Sequence, residues 1–146
     1  MEYQEPTNKL SAVASTALVK AISEVTSPKF DAKNPHYGNK YATLGSHIDA
    51  IKGTFAKHGW VIIQHPDSAG SHVGIRTILL HVTGDQIEFS AHIPVDPAKI
   101  DAQKAGSIYS YLRRYALSAI TFTAAEDDDG AAAVDGPVLN LSLIHI

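Results

Sequence analysis

The sequence predicts an α+β domain, a three-stranded antiparallel sheet packed by helices, and three observations carry that prediction. Leu10, Val13, Ala14, Ala17, Leu18, Ala21, Ile22 and Val25 recur at the spacing of an amphipathic helix. The middle third changes to strand-like runs, WVIIQH at 60–65, then 72–82 and 86–93. A long helical segment, about 100–120, follows them. The order helix, helix, three strands, helix fits α+β and not the alternation that a parallel βαβ arrangement requires.

Taken in order, the first helix has Thr7 or Asn8 as its cap and Ser27-Pro28 as its stop. A polar loop, KFDAKNPHYGNKY at 29–41, carries turn signals at Asn34-Pro35 and Gly38-Asn39. In it Lys29, Lys33 and Lys40 alternate with Phe30, Tyr37 and Tyr41. A second helix over 44–57 is capped by Thr43, turns Leu44, Ile48, Ile51 and Phe55 inward, and closes at Gly59. The last two strands read as a hairpin with a II′ turn at Gly84-Asp85. That register sets Ile78, Leu80 and Val82 against Ala91, Phe89 and Ile87 on the core face. Thr77, His81, Glu88, Ser90 and His92 then share the wetter face. The final helix should end near Ile120 or Phe122, because acids disfavour a helix C-terminus and four follow from Glu126.

With 146 residues and 45% hydrophobic content, the chain suffices for one domain. We expect that domain over 8–125, after an N-terminal tail, 1–7, and before an acidic flexible linker, 126–135. Residues 136–146 (GPVLNLSLIHI) are set aside, since LSLIHI resembles a peptide produced by read-through of a sequencing adapter. There is no cysteine, which excludes disulfides and cysteine zinc sites. With no leader-like N-terminus and no membrane-length apolar run, a cytoplasmic protein with no membrane partner is expected. The formal charge is −3, yet residues 6–125 hold all twelve Lys and Arg against eight of the fifteen acids, a balance of +4. A positive groove is compatible with that distribution.

Chemistry concentrates in GSIYSYLRRYALSAITFTAAEDDDG at 106–130. Arg113 and Arg114 can grip phosphates, and the tyrosines around them offer faces for unpaired bases. The same residues also read as an ordinary amphipathic helix, with Tyr111, Leu112 and Tyr115 as its buried stripe. The eight histidines lack metal-ligand spacing, and no GxxxxGK[ST] loop is present.

Three segments, KNPHYGNKYATL at 33–44, AKHGW at 56–60, and the run from Gln103 through GSIYSYLRRYAL to AEDDDG, resemble the ERF family of phage single-strand annealing proteins. The resemblance spans most of 11–130. It implies an annealing-protein-like β-β-β-α core. It also implies ATP-independent recombination that coats single-stranded DNA and pairs complementary strands, as a ring or filament in a bacterial host cell. A contact to the host single-stranded-DNA-binding protein belongs to the same expectation. No bond-breaking catalysis and no cofactor are implied.

Annealing requires the protein to neutralise two polyanions while leaving base edges free. Lys33, Lys40, Arg113 and Arg114 are the main phosphate candidates, followed by Arg76 and Lys104. Ser107 and Tyr111 share a helix face with Arg114. Tyr37, Tyr41 and Tyr115 stack on bases or hold the loop against the helix. Glu126 to Asp129 pair with a neighbouring subunit, bind Mg²⁺, or act as an electrostatic brake on DNA. The rival classes are a plain single-strand binding module and a metal-dependent nuclease using those acids.

Overall fold

The computed structural model of the protein describes residues 9–126. The tail 1–7, Asp127 to Asp129, the rest of the linker and the tract 136–146 lie outside the described residues. The elements run α1 (Ala12–Glu24), β1 (Ala32–Lys33), β2 (Lys40–Tyr41), α2 (Leu44–Lys57), β3 (Trp60–Pro66), β4 (His72–His81), β5 (Gln86–Pro94) and α3 (Ala102–Thr121). β1 and β2 form a small hairpin, and β3-β4-β5 form an antiparallel sheet. The fold is α+β, as the order of periodicities predicts.

Helix α1 begins later than its apolar pattern suggests. Its cap is Ser11 rather than Thr7 or Asn8: the hydroxyl accepts from Ala14 N at 3.1 Å and donates to Asp85 Oδ2 at 2.8 Å. Serine is itself a favoured N-cap residue, and its second bond, to Asp85 74 residues away, ties that cap to the far hairpin. Helix α2 follows its expected bounds, with Thr43 accepting from Ser46 N.

The helices cover one face of the sheet. Ala14 and Ala21, Ile51 and Phe55, Trp60, Leu79 and Leu117 make the main core, and Ile75, Ile93 and Leu112 make a second cluster. The expected hairpin register is corrected. Ile78 pairs with Glu88 and Leu79 with Ile87, because residues 82–85 form the connection and His81 N donates to Asp85 O at 2.9 Å. An odd shift turns every β4 side chain over, so Val73, Ile75, Thr77, Leu79 and His81 are the buried set. The inward polar residues are satisfied. His81 Nε2 donates to His58 O at 3.0 Å and its ring lies 4.9 Å from Trp60. Thr77 Oγ1 accepts from Gln64 at 3.1 Å. His81 and His92 consequently lie on opposite sheet faces.

The other sheet face carries Arg76, which reaches Asp67 at 3.5 Å and Glu88 at 3.6 Å. There the His92 ring crosses Gly74, its Nε2 donating to Asp67 O at 3.0 Å. A Cβ at Gly74 would collide with His92 Cδ2 and lie 2.6 Å from Asp67 O. Gly74→Ala is therefore expected to lose roughly 1–3 kcal/mol, read as a lower urea midpoint; an unchanged midpoint would show that the ring yields freely.

Candidate functional site

The 33–44 segment builds its own scaffold. Asn34 Oδ1 accepts from His36 N at 2.8 Å and from Tyr37 N at 3.3 Å, while Asn34 O accepts from Gly38 N at 2.9 Å. Such side-chain turns are what asparagine supplies. Gly38 takes φ 73°, which glycine adopts without strain. The turn returns the chain so that Lys33 pairs with Lys40, both exposed, and Ala32 with Tyr41. At the hairpin base, Asp31 accepts from Thr43 N and Oγ1, each at 2.9 Å. Those bonds hold the Asp31 carboxyl below its ordinary range.

This hairpin meets α3 at Arg114. The guanidinium lies 4.8 Å from the Tyr41 ring centroid and 5.5 Å from those of Tyr111 and Tyr115. Tyr111 and Tyr115 stack at 4.3 Å. Helix α3 ends with Phe122 in the left-handed conformation, and the chain turns back beside β2: Ala42 N donates to Ala125 O at 2.9 Å, and Glu126 bridges to Tyr41. The Glu126 carboxylate accepts from the Tyr115 hydroxyl and stands 4.0 Å from Arg114. Burial, then the bond to Glu126, pushes the Tyr115 phenol up; burial pushes Tyr111 up to about 12. The Arg114 side chain is 17% exposed. Its geometry joins the 33–44 segment to the arginine-tyrosine segment of α3.

The remaining candidates divide cleanly. Lys104, Ser107, Tyr111 and Arg114 form one row along α3 at spacings of three, four and three, about 15 Å long at 1.5 Å per residue. Lys104, Ser107 and Tyr111 line a cleft of about 630 Å³ floored by Ile93 and Ile108. Lys104 is exposed and its Nζ touches Lys99 O at 3.1 Å; Ser107 donates to Gln103 O at 3.1 Å. Tyr37 is half-buried in the hairpin turn. Arg113 points elsewhere, its Nε donating to Gln64 Oε1 at 3.3 Å and its carbonyl accepting from Gln64 Nε2 at 3.2 Å. Arg76 lies on the sheet face turned away from the helices.

Sequence reasoning did not find His47 or the part Glu126 plays. His47 is fully buried, with neither ring nitrogen hydrogen-bonded among the described residues. Burial, then the positive charge of Arg114, lowers its pKa to about 4, against a smaller opposing effect of Asp31. The folded pKa thus lies below the ordinary 6.5, so the unfolded chain takes up the proton first. Stability is fully present above about pH 6.5 and drains away as pH falls toward 4. On the order of 2 kcal/mol should be lost between pH 7 and pH 5. Urea unfolding at the two pH values measures it, and His47→Leu should flatten the difference.

Among the described residues no three His, Asp or Glu are grouped to hold a metal ion, and no helix is long and apolar enough to cross a membrane. Of the acids assigned to the Mg²⁺ reading only Glu126 is described, and its carboxylate is engaged by Tyr115 and Arg114. Fold and site together define an α+β domain in which a lysine hairpin joins an arginine-tyrosine helix. The family model of the ERF superfamily matches residues 14–137, and the chain belongs to that superfamily. Comparisons with curated proteins and with solved structures return no match. Membership associates the chain with DNA single-strand annealing, a family activity that is generally not catalytic.

Proposed function

We propose that this protein binds single-stranded DNA and anneals complementary strands without ATP, as a homo-oligomer, in phage-type recombination inside a bacterial host. The observation that carries the reading is the junction itself: the 33–44 segment and the arginine-tyrosine segment of α3, distant in sequence, meet at Arg114. Lys33 and Lys40 stand exposed at one side of it, and the Lys104, Ser107 and Tyr111 row continues from the other. In this reading the lysines take phosphates, the cleft beside Tyr111 takes sugar and base surface, and Arg114 positions both. Repetition of a weak site around an assembly supplies avidity.

Mixing two complementary fluorescent oligonucleotides with the protein, without ATP, tests the activity. Faster pairing than in buffer is the expected result; slower pairing would identify a protective single-strand binder instead. Repeating the mixture with Mg²⁺ and finding cleaved strands would favour the nuclease.

A further inference from the structure

Phe122 is the most exposed large apolar residue described, at 93%, and it holds φ 57°, ψ 45° at the C-cap of α3. That conformation is ordinarily taken by glycine, because a Cβ is strained there. The residue neither packs in its own core nor eases its own backbone. Elsewhere on the chain, between α2, β3 and α3, lies a cavity of about 330 Å³. Ile48, Phe55, Trp60 and Leu117 floor it, Lys52 and Arg113 stand among its lining residues, and no acid lines it. Its size falls at the small end of ligand pockets, roughly 300–1,000 Å³, which suits one aromatic ring.

We infer that Phe122 of one copy inserts into this cavity of a second copy. The alternative, that Phe122 stacks on a nucleobase, is disfavoured by charge. The sequence beyond Phe122 carries Asp127, Asp128 and Asp129, acids that repel a phosphate backbone. Their charge is opposite in sign to that of Lys52 and Arg113 in the cavity lining. Knob and cavity are different surfaces of one chain, so the contact is head-to-tail, and repetition closes a ring or extends a filament. The inference gives the proposed homo-oligomer its interface and rests on that part of the reading.

Phe122→Gly relieves the strained backbone, so its melting temperature should rise while self-association falls, a pairing of effects that a merely structural role would not produce. Ala56→Trp, at an exposed position lining the cavity, should block the receptor side. Analytical ultracentrifugation of the full chain is expected to show oligomers for wild type and monomers for each variant. An equimolar mixture of the two variants should give a dimer, through the one intact knob and the one intact cavity. Wild type that stays monomeric with and without DNA overturns both the oligomer and this interface. Oligomers that persist in Phe122→Gly overturn the interface alone. Loss of DNA binding in Phe122→Gly with oligomers retained would assign Phe122 to the nucleic acid instead.

Discussion

Arg114→Ala is expected to lower stability by about 2–3 kcal/mol, and Arg114→Lys to recover little of it. The guanidinium is shared by three tyrosine rings, and a partly desolvated cation-π contact contributes roughly 0.5–2 kcal/mol. The three contacts are not additive, since one cation serves all of them. Removing Arg114 also leaves a void between Tyr41 and the α3 tyrosines and takes the counter-charge from Glu126. Lysine keeps the charge but lacks the planar surface that stacks on rings. Both variants should bind single-stranded DNA more weakly, because the hairpin loses its fixed position against α3. The dependence of log K on log salt should keep its slope, since an enclosed guanidinium releases no counterions. Urea midpoints and a salt series of fluorescence anisotropy titrations measure the two effects, and a reduced slope with unchanged stability would make Arg114 a direct phosphate contact.

The opposite pattern is expected for Lys33→Ala with Lys40→Ala. These lysines face each other across β1-β2, and like charges directly opposite are destabilising. The double variant should therefore be as stable as wild type or slightly more so. Its binding should suffer: two lost phosphate contacts lower the salt slope by about 1.4, at roughly 0.7 each for a single strand. At moderate salt the affinity should fall on the order of tenfold. An unaltered slope would remove the hairpin lysines from the interface.

Much of this organisation is legible in the sequence because its determinants are local. The α2 cap at Thr43, the Asn34 and Gly38 turn residues and the end of α3 near Phe122 follow from side-chain hydrogen bonding, positive φ and the placement of charge. The β4 face does not, since it depends on a connection whose partners are His81 and Asp85. Two buried polar residues, Thr77 and His81, also break the alternation that would reveal it. Periodicity places Ser107, Tyr111 and Arg114 on one face of α3, but not what that face meets. Helical spacing separates Arg114, on the face of Ser107 and Tyr111, from Arg113, but it does not supply their partners: Gln64 and Tyr41, both distant in the chain, hold one against the sheet and the other against the hairpin. Glu126 was visible as the first of four acids, but its pairing with Tyr115 and Arg114 requires the chain reversal after α3.

In the proposed function the hairpin and the adjoining face of α3 hold the strands during pairing. ATP-free annealing rates of complementary labelled oligonucleotides, compared for wild type, the Lys33 and Lys40 double variant, and Arg76→Ala on the opposite sheet face, test it most directly. Wild type and Arg76→Ala should accelerate pairing, with the double variant falling toward the spontaneous rate. Full acceleration by the double variant, together with loss of acceleration in a folded Arg76→Ala, would contradict it.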